Sequence, residues 1–140
     1  MIAGGPAFSA YQSAAQTPAA TTWTKISFQS EEFDTASAFD SASTYRFTPQ
    51  TAGYYQINGA IGVNGLANPE CAIYKNGTVF KAGSLGAYAT SVGAVSAASA
   101  LVYLNGSTDY VELWGYLSAS VPLLASASGT YFQASLIRAA

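Results

Sequence analysis

Apolar and polar residues alternate with a period of two along most of this chain, and the stretch Arg46 to Val63, RFTPQTAGYYQINGAIGV, shows it best. Tyr45 and Phe47 share one side of a first strand, and Pro49 and Gly53 punctuate the connection. Tyr55, Ile57, Gly59, Ile61 and Val63 then recur on one side of the next strand. The same alternation predicts strands over Ala7–Tyr11, Thr22–Phe28, Cys71–Phe80, Asp109–Leu117 and Gly129–Ile137. In Thr22–Phe28 it sets Ile26 and Phe28 against Trp23, Lys25 and Ser27. In the last strand it sets Phe132, Ala134 and Leu136 against Tyr131, Gln133, Ser135 and Ile137.

Turn chemistry divides these runs. Lys75-Asn76-Gly77-Thr78 between apolar segments predicts a hairpin, because Asn-Gly tolerates positive φ. Asn105-Gly106-Ser107-Thr108 marks another turn, and Asn64 to Pro69 is turn-rich. The Ala- and Ser-rich segment from Val92 to Leu104 fits a helix by spacing, but Gly93 and the closing Val102, Tyr103 and Leu104 favour a strand. Glu31 to Ser43 predicts a long ordered loop or a short edge strand, with Phe33 and Phe39 anchored in the core. In Asp109–Leu117 both faces are bulky, Val111, Leu113 and Leu117 against Tyr110, Glu112, Trp114 and Tyr116, so both are expected to be covered. About eight to ten short strands with no helical block predict an all-β, antiparallel β-sandwich, with the jelly roll as the preferred topology.

Composition adds assembly to this picture. The 140 residues fit one domain, expected to span 7–140 behind a short N-terminal arm of residues 1–6. Half the residues are hydrophobic but only 9% are charged, so a solitary chain would have little charge with which to cover its surface. Self-association follows as an expectation. Lys25, Arg46, Lys75, Lys81 and Arg138 are scattered and the formal net charge is −2, which argues against nucleic acid as a partner. No apolar run approaches the roughly 20 residues that cross a bilayer as a helix, and the first ten residues carry no basic region or apolar core of a signal peptide. A soluble chain with no membrane partner is expected. The single Cys71 reads as a buried, inert thiol.

Candidate chemistry is sparse. The chain has no His, which removes the usual general base, the Ser-His-Asp relay and the commonest transition-metal ligand. Glu31, Glu32 and Asp34 are close enough in sequence to form a carboxylate pair, but their Ser-rich surroundings read as a solvated loop. Asp109 and Glu112 flank outward strand positions and read as solvated too. The glycines fall at turns and not between a strand and a helix, so no phosphate loop is present, and no cofactor motif emerges. Trp23, Trp114, Tyr110 and Tyr116 would stack on sugar rings if exposed at a loop end; packing in a core or an interface is the simpler role.

Taken in order and spacing, several of these motifs resemble the globular domain of the C1q and tumour necrosis factor superfamily. They are Ala7-Phe8-Ser9-Ala10, Phe47-Thr48-Pro49 with Gly53-Tyr54-Tyr55, Lys75-Asn76-Gly77, Leu101 to Gly106 leading into Asp109-Tyr110-Val111-Glu112-Leu113, and Ser128-Gly129-Thr130-Tyr131-Phe132. The resemblance runs from Ala7 to Ile137 and implies a jelly roll that forms a homotrimer. It further implies that Tyr54, Gln56 and Asn58, joined by Tyr131 and Gln133, face the neighbouring subunits; ordinary rim aromatics are the alternative for the two tyrosines. The chain lacks a collagen-like repeat and a clustered acidic loop such as the calcium sites of some relatives. Similar domains occur in bacteriophage virions, where His-free, Ala/Ser/Thr/Gly-rich chains are at home. The expectation is therefore a non-enzymatic virion protein on the phage particle surface, a homotrimer that decorates or cements the capsid through the major capsid protein. The missing stalk favours this over a receptor-binding or host-glycan-binding knob at a fibre tip.

Overall fold

The stretch from Tyr55 to Val63 alternates because it lies in a central strand that buries one face, and a computed structural model shows how. It describes residues 4–87 and 93–140. Among them are nine strands: β1 Ala7–Tyr11, β2 Thr24–Lys25, β3 Ser30–Asp34, β4 Gly53–Gly62, β5 Pro69–Lys75, β6 Thr78–Leu85, β7 Val95–Leu104, β8 Val111–Leu117 and β9 Tyr131–Ala139. They form a five-stranded sheet in the order β3-β1-β9-β4-β7 and a four-stranded sheet in the order β2-β8-β5-β6. All pairings within the sheets are antiparallel. This is the all-β sandwich that the alternation predicts.

The core fills the space between the sheets. Tyr55, Ile57 and Ile61 of β4 meet Val111, Leu113 and Leu117 of β8, all fully buried. At one end Phe8 stacks on Phe39 and Phe47, each 4.6 Å between ring centroids, and meets Phe132 edge-on at 5.3 Å. Tyr55 satisfies its buried hydroxyl by donating to the Thr51 carbonyl at 2.7 Å. The Asn76-Gly77 hairpin joins β5 and β6 with φ of 51° and 80°, as that dipeptide predicts. Cys71 is fully buried and burial pushes its thiol up to about 11.

Several elements differ from the sequence reading. Tyr45 and Phe47 are not a strand: Tyr45 has a φ of 51°, and Phe47 makes only isolated bridges to Phe39 and Val111. The Asp40 carboxylate accepts five hydrogen bonds from Ala42, Ser43 and Thr44, coiling the chain just before this point and holding its own pKa well below the usual range. Thr22–Phe28 contributes only Thr24 and Lys25 to a strand. Farther along, side-chain amides replace ladder partners: Gln16 Oε1 accepts from Ser27 N at 3.0 Å, and Gln12 Nε2 donates to the Ser27 carbonyl at 3.1 Å. The sides assigned to Ile26 and Phe28 hold, since both are fully buried. Phe39 anchors the core as expected, but Phe33 is half exposed. It pairs with Ser9, between the inward Phe8 and Ala10, and so points away from the core. Val92 lies outside the described residues, and the strand expected over Val92–Leu104 begins at Val95.

Candidate assembly face

The outer face of the five-stranded sheet is a grid whose rows are fixed by register. Alternation along β4 leaves Tyr54, Gln56, Asn58 and Ala60 on this side. The β4–β7 pairing sets Tyr54 opposite Tyr103, Gln56 opposite Leu101, Asn58 opposite Ser99 and Ala60 opposite Ala97. On the other flank Asn58 faces Gln133 and Ala60 faces Tyr131. The pairing of β9 with β1 continues two rows, Gln133 to Ser9 and Tyr131 to Tyr11. The five residues implicated by resemblance, Tyr54, Gln56, Asn58, Tyr131 and Gln133, therefore share one surface, on two adjacent strands.

Sequence reasoning missed most of the apolar area of this surface. Val95, Leu101 and Tyr103 of β7 are 54%, 56% and 43% exposed, beside Tyr54 at 44%. Their signal was present: β7 alternates exposed and buried along its whole length, with Ala98, Ala100, Val102 and Leu104 facing the core. Ile137 and Phe33 add further exposed apolar surface on β9 and β3. A bulge in β9 opposite Tyr54 brings Ile137 and Arg138 together, and with Tyr54 and Leu101 they line an open concavity of about 580 Å³. Tyr54 and Tyr103 pack at 5.5 Å, and Lys75 reaches the Tyr103 carbonyl at 2.7 Å.

The other sheet has a different outer face. Tyr74 stacks on Trp114 at 4.6 Å and 12°, and Trp23 leans on Tyr116 at 5.6 Å and on Tyr74 at 6.3 Å. Beside them Glu112 is nearly fully buried, which overturns its reading as a solvated acid. Its Oε1 accepts from Arg46 Nη2 at 2.9 Å and Nε at 3.2 Å, with Lys25 Nζ 3.7 Å away, and its Oε2 accepts from Trp114 Nε1 at 2.9 Å. The Arg46 guanidinium lies 3.9 Å above the Tyr110 ring. Asp109 accepts from Asn76 Nδ2 at 2.8 Å and Asn105 N at 3.1 Å; the Asn76 bond leads the causes that lower its pKa.

Glu31, Glu32 and Asp34 lie on edge strand β3 and not in a solvated loop. Asp34 accepts from the Ala36 and Phe39 amides, and Glu32 accepts from Ser9 Oγ at 2.7 Å. Among the described residues no group of three or more His, Cys, Asp or Glu side chains is placed to hold a metal ion.

The two sheet orders and the near-complete coverage of other chains decide the architecture. The globular domain of zebrafish complement 1qA superposes with a TM-score of 0.72 over 96% of this chain and 99% of that one, at 17% identity. Murine APRIL gives 0.69 over 95% and 99%, at 8% identity. The Eiger TNF of S. frugiperda gives 0.69 over 99% and 96%, at 11% identity. The chain has the C1q/TNF jelly-roll fold. Compared by sequence, it matches no protein-family model and no curated protein. Within this jelly roll the outer face of the five-stranded sheet remains the largest gathering of exposed apolar side chains among the described residues.

Proposed function

We propose that the chain is a non-enzymatic, homotrimeric module whose copies meet on the outer face of the five-stranded sheet. The observation that carries this reading is the exposure there of Phe33, Tyr54, Val95, Leu101, Tyr103 and Ile137 on a chain with few charges. An apolar patch of this kind marks a surface that another molecule covers. The homotrimer is what the resemblance to the C1q and tumour necrosis factor superfamily implies, and Val79, Phe80 and Leu85 of edge strand β6 add exposed apolar side chains beside β7. Light scattering and sedimentation of the purified chain test the trimer, which is expected to persist at micromolar concentration. Leu101→Asp places a charge in the middle of the patch and should yield monomer; a trimer unaffected by it would move the contact elsewhere.

The finer reading is decoration of a phage capsid, with the major capsid protein as partner. Its support is composition: no His, 9% charged residues and a chain rich in Ala, Ser, Thr and Gly. Imaging of purified virions carrying the chain tests it, and regular copies over the capsid are the expected result. Copies confined to fibre ends would replace it by the knob. One observation favours that second reading: the Trp23, Tyr74, Trp114 and Tyr116 rings gather beside Arg46 and Lys25, a chemistry suited to a host surface glycan.

A further inference from the structure

One row of the assembly face is polar across four strands and ends on β3 at the half-exposed Phe33, which stands opposite Ser9. Ser99, Asn58, Gln133 and Ser9 sit directly opposite one another across β7, β4, β9 and β1. Beside Phe33, a bulge at Ser9/Ala10 lets the Glu32 carboxylate accept from Ser9 Oγ at 2.7 Å. The next row on one side is mixed, Leu101, Gln56, Ser135 and Ala7; the row on the other side is Ala97, Ala60, Tyr131 and Tyr11.

We propose that this row sets the register and the number of copies at the assembly face. The inference rests on the reading of that face as the place where copies meet. Hydrophobic burial is non-directional, so the tyrosines, Leu101 and Ile137 supply affinity for many alignments alike. The polar row does not. Asn58 Oδ1 already accepts from Ser99 Oγ at 2.9 Å and from Gln56 Nε2 at 3.3 Å, and Gln133 Oε1 lies 3.4 Å from Ser9 Oγ. The Asn58 acceptor is therefore engaged within the chain, while Ser9 spends its one hydroxyl hydrogen on Glu32. The amide nitrogens of Asn58 and Gln133, with two N–H donors each, have no partner among the described residues, and neither amide is fully exposed. Covering them by an apolar surface would leave donors unpaired. Only an alignment that brings acceptors of the next copy over them avoids that loss, and the Glu32 carboxylate and Gln56 Oε1 of a second copy are of the right chemistry. A slip of two residues toward Ala97, Ala60 and Tyr131 would set the donors against that row of alanines and tyrosine instead. A lone polar residue fixes coiled-coil register and stoichiometry by the same logic.

The test replaces the donors without touching the neighbouring rows. Sedimentation velocity is run on the wild type, Asn58→Leu, Gln133→Leu and the double variant, with thermal melts to confirm folding. The wild type should run as one trimeric species. The leucine variants should melt no lower but spread over several masses, with the trimer no longer dominant. Asn58→Ser with Gln133→Ser keeps the row polar and should weaken the trimer without changing its mass. If the double leucine variant fails to fold, the single variants carry the same reading. Leucine variants that run as a single trimeric species would overturn the role of the row while leaving the assembly reading standing. A monomeric wild type would overturn the assembly reading itself.

Discussion

The buried Glu112 makes a quantitative prediction. Arg46→Met removes two charge-assisted hydrogen bonds to Glu112 Oε1 and the guanidinium above Tyr110. Breaking a buried ion pair from one side costs about 3–5 kcal/mol when the remaining charge is sealed from water. The Glu112 side chain is only 3% exposed, which places the variant in that class. Arg46 itself is 32% exposed and Lys25 stays 3.7 Å from the carboxylate, so the lower end, about 3 kcal/mol, applies. Lys25→Met loses a longer contact from a side chain 30% exposed and should cost about 0.5 kcal/mol. Combining Arg46→Met with Glu112→Leu removes both charges together, so its cost should fall short of the sum of the single costs by at least about 1 kcal/mol. Urea unfolding at one fixed protein concentration, followed by circular dichroism as well as tryptophan fluorescence, measures all four variants. Equal costs for Arg46→Met and Lys25→Met, or strict additivity in the double variant, would refute the view that burial of Glu112 controls this site.

Two further outcomes follow from the core. The Cys71 thiol is held up to about 11 in the folded chain against an ordinary 9.0. Folding therefore keeps a proton that the unfolded chain gives up, so this contribution is constant below pH 9 and is lost as pH rises toward 11, by about 2–3 kcal/mol. Cys71→Ala should flatten the stability profile over that window, and parallel profiles for variant and wild type would contradict the assignment. At Gly59 an added Cβ would sit 2.7 and 2.8 Å from the two Leu113 methyl carbons, inside the sandwich. Gly59→Val should therefore destabilise by about 1–3 kcal/mol through overpacking, and a denaturation midpoint equal to wild type would show that Leu113 has room to move.

Sequence alone determined what depends on neighbours in the chain. Period-two alternation assigned the inward faces of β4, β8 and β9, because successive side chains on a strand must point to opposite sides. Asn76-Gly77 and Asn105-Gly106 determined turns, since positive φ is cheap there: Asn76, Gly77 and Gly106 adopt it. Local pattern failed where a distant or competing polar group intervened. Asp40 coiled the chain ahead of Phe47, Gln12 and Gln16 took over the backbone of the segment around Ser27, and pairing with Ser9 turned Phe33 outward. Glu112 looked solvated because nothing within its own strand announces Arg46, which is 66 positions away. Only the tertiary structure could make the outer face a surface. Ser9, Asn58, Ser99 and Gln133 lie far apart in sequence, and they form one row because antiparallel register between β1, β9, β4 and β7 aligns them. Alternation says which side of a strand a residue takes; it carries no information about which residue of another strand stands beside it.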